Sequence, residues 1–490
     1  MQMKSLNRFG YTALFGALFL VVLYKVLHVP VTIDELPAVF HYSKFNVWEI
    51  MMYPDHIPNN HILNTLLVKG SMLLFGQEQW AVRLPNLLAF LLYGLGVFRI
   101  LRLLLGDGSP WFLAGALLFI NPYLLDFFGL ARGYGLSLAL EILAAGFLLE
   151  GIMRKAPKYI WYALVSATLA SYANFTALVF WAAVTLIAGI WFLAIYHRHP
   201  KKALLPLFLM ALFSLAYLAL IMVPLQKMHA TDEFQYWTSH GFYQETVISL
   251  IHNWYYHSPV LSHIPHAWFL LPVALATGGA LLPAFRRNKN SSSEAAATLP
   301  LPRFLTHPGF IAVILLLLPA LINMAQTKIL GTPNLSGRTA LLFYPLLSLV
   351  FVAALRQIPH IRHPLLSGTA TIALSLLLLA NLTHRTSLKS VREWDFDQNT
   401  LEVMAYLHEQ HPQRTVSLKT SWFFHSSFYF YQYTGKAPWL DLQPYDYQID
   451  IQTPAEYYYI FAEDYEKLTP RFEIAYKFCP ERWLLRQKKN

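Results

Sequence analysis

The apolar stretches of this chain are long, numerous and almost free of charge, which constrains it to a lipid environment before any motif is read. The first runs from Phe9 to Val29 behind Lys4 and Arg8 and passes into His28-Val-Pro-Val-Thr without a small-residue cleavage site. It therefore reads as an uncleaved span with the N-terminus in the cytoplasm rather than a secretory signal. Further stretches follow at about 84–104, 111–126, 135–153, 159–173, 175–196, 203–224, 267–285, 309–326, 340–355 and 364–383, giving about eleven spans, with 159–173 short enough to be tilted or re-entrant. Only 13% of the 490 residues are charged and 56% are hydrophobic, against about 25% charged in soluble domains. A single soluble domain, a disordered chain and a coiled coil are excluded. The expected class is a polytopic α-helical membrane protein with a small α/β C-terminal extracytoplasmic domain.

The net charge of +10 first suggests an acidic partner such as nucleic acid, but the positions of the basic residues give a simpler reason. Most lie in the proposed inner loops, among them Lys4, Arg8, Arg99, Arg102, Arg154 and Lys155. The outer loops hold few: Lys44, Lys69, Arg83, Arg132, Lys227, Lys328 and Arg338. This is the inside-positive bias of a multi-pass protein, so nucleic acid is not needed as a partner. The lone Cys479 supplies neither an intrachain disulfide nor a cysteine metal framework. Two outer loops, 30–83 and 226–266, are long and carry short apolar pieces, Ile62 to Phe75 and Thr246 to Trp254, that read as helices lying in the interface. The inner loop from Arg286 to His307 reads as a small-polar linker. Residues 1–384 form the expected membrane module. From 385 to 490 charges and tyrosines return, with a helical pattern over Thr400 to His411 and strands at Thr415 to Leu418 and Tyr457 to Ala462.

Chemistry is expected where charge persists on the outer side. Asp34-Glu35 follows the first span directly. The pair reads either as a solvated acidic helix end or as a general base, since partial desolvation makes a carboxylate a better proton acceptor. Then come Pro58-Asn-Asn-His61-Ile-Leu, Phe75-Gly76 and Arg83-Leu-Pro-Asn86. A further outer loop carries Asp126-Phe-Phe-Gly-Leu-Ala-Arg132-Gly-Tyr134, and another carries Gly337-Arg338 ahead of an apolar stretch. Arginine at a membrane boundary either snorkels to headgroups or grips a phosphate with its planar fork. Outer histidines cluster at His56, His61, His240, His252, His257, His263 and His266, without recognisable metal-ligand spacing. Glu141 lies inside a span, where a charge normally faces the bundle interior or a cavity or pairs with a neighbouring arginine for structural reasons, and it is left out of the catalytic set. Tyrosine and tryptophan abundance fits an interfacial belt or a sugar-stacking surface.

The ordered set of Asp-Glu after the first helix, a His-led interfacial helix, Phe-Gly, Arg-Leu-Pro-Asn opening the second helix and Arg-x-Tyr opening the fourth resembles the GT-C membrane glycosyltransferases. The protein O-mannosyltransferase and lipid A aminoarabinose transferase group is the nearest likeness. Where that group often shows His-Pro-Pro-Leu this chain has Asn60-His61-Ile62-Leu63, so the turn differs in detail. The resemblance implies a sugar donor carried on polyprenyl phosphate, with Asp34 as catalytic base and Glu35 as its neighbour or substitute. It implies His61, Arg83, Asp126, Arg132, Tyr134 and Arg338 as donor-phosphate or substrate contacts, with Lys328 in reserve behind Arg338. The implied reaction is inverting transfer to an acceptor hydroxyl on a lipid, glycan or protein, at the outer face of a bacterial inner membrane. No cofactor is required by that scheme, and a divalent metal stays open. Two other classes remain: a polytopic transporter or lipid flippase, for which the chain lacks visible repeats, and a glycan ligase or polymerase using a diphosphate-linked donor.

Overall fold

The computed structural model describes residues 2–106, 111–230, 240–255, 263–285, 303–356, 364–445 and 455–488. Most of the 286–307 linker, and His257, lie outside these residues. Backbone groups in lipid must be satisfied within the segment, so apolar sequence becomes helix. Among the described residues eight helices are long and apolar enough to cross a membrane, and a bent pair makes a ninth. Two more of the expected spans fall in helices as well, Pro157–Ala173 with 17 residues and Pro364–Arg385 with 22. The stretch expected as one span at 111–126 is broken: Trp111–Phe119 and Pro122–Gly129 meet at 64°. Its cause is local. Pro122 has no N–H to continue the first helix, and the Asn121 side chain accepts from Leu124 N at 3.2 Å to start the second.

The helices sort into a centre and a rim. In Gly133–Arg154, 83% of the best apolar window is buried, whereas in Pro200–His229 and His266–Phe285 only 11% is. The central helix packs on Gln79–Leu105 and Pro157–Ala173, and nothing larger than glycine fits at its first residue, Gly133. A Cβ there would lie 2.0 Å from the Ala173 carbonyl oxygen and 2.7 Å from His61 Cβ. Ile62–Phe75 is a 14-residue helix, too short to span.

Beyond the last helix the chain forms a five-stranded sheet: β1 Val416–Thr420, β2 Leu440–Leu442, β3 Tyr457–Phe461, β4 Phe472–Cys479 and β5 Arg482–Gln487. The order is β2-β1-β3-β5-β4, parallel among the first three and antiparallel beyond. Helices Thr400–Gln410 and Trp422–Tyr433 cover it. Their apolar faces share one core with Val31 and Val39 of the first outer loop and Val82 of the next helix. The sheet domain and the loop after the first span are thus fused by packing. Tyr431 seals the joint, accepting from Val31 N at 3.2 Å and donating to Gln79 Oε1 at 2.7 Å.

Candidate functional site

Asp34 lies in a single 3-10 turn, Ile33–Glu35, and its neighbour builds that turn. The Glu35 carboxylate accepts from Thr32 N (2.9 Å), Thr32 Oγ1 (3.2 Å), Ala131 N (2.7 Å), and Arg83 Nε (2.8 Å) and Nη2 (2.7 Å). Glu35 and Arg83 are both fully buried. Burial opposes ionisation of Glu35, but Arg83 and the backbone donors outweigh it and hold its pKa below the usual carboxylate value. Arg83 spends its remaining donors on the carbonyls of Val29 (2.7 Å) and Pro30 (2.9 Å). These two residues, grouped by the sequence with the base and the phosphate contacts, are separated from both: they brace the end of the first span. Asp126 is also apart. It is buried, pairs with Lys25 of the first span and accepts from Arg392 N at 3.2 Å.

The turn pushes Asp34 toward two arginines. Its Oδ2 lies 3.1 Å from Arg338 Nη1 and 3.5 Å from Arg132 Nη2, and Arg132 Nη1 also donates to the Asp34 carbonyl at 2.8 Å. Arg132 is further held by Asn59 Oδ1. It sits at the N-terminus of Gly133–Arg154, with its guanidinium carbon 5.9 Å from the Tyr134 ring. Arg338 stands in the turn Gly337–Ala340 that opens the Phe343–Leu355 helix. His61 packs its ring 5.0 Å from that of Tyr134. Burial, then the charges of Arg132 and Arg338, press the His61 imidazole well below its ordinary pKa, so it is neutral near pH 7. Its Nε2 is closed off from solvent and meets no hydrogen-bond partner among the described residues.

Sequence reasoning missed the fourth wall. Arg392–Asn399, the first segment of the C-terminal domain, brings Glu393 and Trp394 to the same place. Arg338 Nη1 donates to Glu393 Oε1 at 3.3 Å, Tyr123 OH donates to Glu393 Oε2 at 2.6 Å, and Arg338 lies 5.4 Å from the Trp394 ring. Burial raises the Glu393 pKa, with Arg338 opposing. The returning charge after the last span was visible in sequence, but nothing there linked it to Arg338. Two guanidiniums converging on one carboxylate make a poor seat for a divalent cation. Among the described residues no three His, Cys, Asp or Glu side chains gather as metal ligands.

No family model and no curated protein matches the chain. Solved structures do resemble it. One is ArnT from Cupriavidus metallidurans bound to undecaprenyl phosphate, at 12% identity, covering 97% of this chain and 98% of that one, with a TM-score of 0.43. Another is the same protein in the apo state, at 12% identity and 98% of both chains, with a TM-score of 0.37. They belong to the group that the first-loop motifs resemble. The likeness is one of overall chain course, and the chemistry rests on the residues themselves.

Proposed function

We propose that this chain is an inverting membrane glycosyltransferase that takes a sugar from a polyprenyl phosphate and delivers it to an acceptor hydroxyl at the outer face of a bacterial inner membrane. The observation that carries the reading is one partly exposed carboxylate, Asp34, facing Arg132 and Arg338. Two convergent guanidiniums suit a phosphate better than a lone carboxylate does, because each fork can meet two oxygens. Asp34 occupies the anion position between the two arginines. Donor phosphate would draw the arginines to itself and leave Asp34 free to accept a proton.

The transfer then balances simply. The acceptor O–H proton passes to Asp34 as its oxygen bonds to the anomeric carbon on one face. The bond from that carbon to the phosphate oxygen breaks on the other. The electron pair stays on the phosphate, where Arg132 and Arg338 offset the added charge. Neutral His61 and Tyr134 would shape the wall beside Arg132. Glu35 and Arg83 hold the turn, and no step passes through a metal.

The test is Asp34→Asn. Asp34 is partly exposed, with a side-chain relative accessibility of 21%, so the variant should insert and fold. Transfer should fall on the order of 10²–10⁴-fold, the worth of a general base. Unchanged turnover refutes the base assignment. A deletion strain separates the alternatives: accumulation of a monophosphate-linked sugar supports the reading, whereas a diphosphate-linked glycan, or no lipid, overturns it.

A further inference from the structure

We infer that Glu393, supplied by the C-terminal domain, is a positioning residue that competes with the donor phosphate for Arg338 and must take up a proton for the phosphate to bind tightly. The inference rests on the proposed polyprenyl-phosphate reading and adds a partner to its site. Its ground is geometric. One guanidinium nitrogen, Arg338 Nη1, is shared between Asp34 Oδ2 at 3.1 Å and Glu393 Oε1 at 3.3 Å. Trp394 lies against the same guanidinium. The other Glu393 oxygen is fixed by Tyr123 at 2.6 Å, and the next residue back, Arg392, is pinned by its N–H to buried Asp126. Glu393 therefore cannot swing away when an anion arrives.

The balance of charge gives Glu393 this role. Asp34 and Glu393 together balance Arg132 and Arg338, so these four side chains are near neutral as a set. A phosphate entering between the arginines adds negative charge in a partly desolvated place, where Coulomb terms are strong. The groups facing Glu393 are Arg338 and Arg132, which favour its charged form, Asp34, which disfavours it, and the hydroxyl of Tyr123; Tyr134 also feels its charge. Bound phosphate joins Asp34 on the disfavouring side. Protonation of Glu393 then relieves the repulsion and releases its claim on Arg338, and the already raised pKa agrees with this role.

The experiment measures the Kd of undecaprenyl phosphate in detergent for the full chain across about pH 5 to 9. The wild-type affinity should weaken as pH rises and Glu393 ionises. Glu393→Gln keeps the shape but not the charge: its amide oxygen can accept from Arg338 while its NH₂ donates to the Tyr123 hydroxyl oxygen. It should bind on the order of tenfold tighter than wild type at the alkaline end, with a flatter profile. The lipid's own second ionisation contributes equally to both proteins, so the difference between the profiles reads Glu393. Tyr123→Phe removes a hydrogen bond that favours the charged form, so it should move the wild-type profile to higher pH. Glu393→Ala also removes the competing charge, so it too should bind more tightly than wild type at the alkaline end. Coincident profiles for wild type and Glu393→Gln, or an unmoved profile in Tyr123→Phe, overturn this inference alone. No binding by the wild-type protein at any pH overturns the donor reading as well.

Discussion

Glu35→Gln should destabilise the folded protein although it changes one oxygen to nitrogen. Each Glu35 oxygen faces only donors. Oε1 receives Arg83 Nε and Ala131 N, and Oε2 receives Arg83 Nη2, Thr32 N and Thr32 Oγ1. Whichever way the amide is turned, its NH₂ meets N–H groups and Arg83 is left charged with no counter-ion at full burial. Removing one partner of a buried pair costs about 3–5 kcal/mol. In a reversible detergent-titration unfolding assay Glu35→Gln should lose that amount, whereas neighbouring Asp34→Asn should stay close to wild type. The sign with pH is fixed by the lowered Glu35 pKa. The wild-type pair contributes fully above the unfolded value of 4.5 and fades as pH falls through the folded value below it. The deficit of Glu35→Gln should therefore shrink in acid. A variant as stable as wild type at neutral pH, or a deficit that grows in acid, refutes the structural role given to Glu35.

Two further outcomes are expected from buried contacts. Lys25→Met leaves Asp126 in a buried site without its ion partner and should cost about 3–5 kcal/mol in the same unfolding assay. Replacing both partners, as Lys25→Met with Asp126→Leu, should recover part of that loss. Gly309→Ala places a Cβ 2.1 Å from the Ala280 carbonyl oxygen, a backbone atom that cannot yield. It should separate His266–Phe285 from Pro308–Leu330 and cost about 1–3 kcal/mol, read as a lower thermal midpoint with no change in the Asp34 cluster.

How much was legible depends on sequence distance. The helices could be read because lipid leaves one solution for each long apolar stretch. The break at Pro122 was missed because hydropathy averages over it, while the Asn121 cap and the missing proline N–H act on single bonds. Asp34, Arg132 and Arg338 could be picked out because each stands at the start or end of a helix, where charge in a poor-charge chain is conspicuous. The residues alone could not tell Asp34 from Glu35; the family resemblance put the base at Asp34. In a tight turn adjacent side chains point different ways, and only the position of Arg83 decides which goes inward. Glu393 was illegible for a plainer reason: it lies 55 residues from Arg338 and 270 from Tyr123, with no pattern in between to join them.

The way the few charges are disposed argues for the location of the site independently of any motif. A charge inside such a bundle is costly unless paired, and several buried charges are paired: Lys25 with Asp126, Arg83 with Glu35, and Glu150 with Arg99 and Arg154, whereas neither carboxylate oxygen of buried Glu141 meets a hydrogen-bond partner among the described residues. The Lys25–Asp126 and Arg83–Glu35 pairs join neighbouring elements and are closed to solvent, whereas Glu150 is paired with arginines that are at least partly exposed. The cluster of Asp34, Arg132, Arg338 and Glu393 differs because three of its members keep contact with solvent, at 21%, 34% and 27% for Asp34, Arg338 and Glu393, while Arg132 is nearly buried at 4%. It also draws on four separate parts of the chain, which stability alone does not call for. The Lys25–Asp126 pair, through Arg392, holds Glu393 in that cluster, and the Glu35–Arg83 pair aims Asp34 into it. The closed pairs are therefore the frame, and the open cluster is what the frame is built to hold.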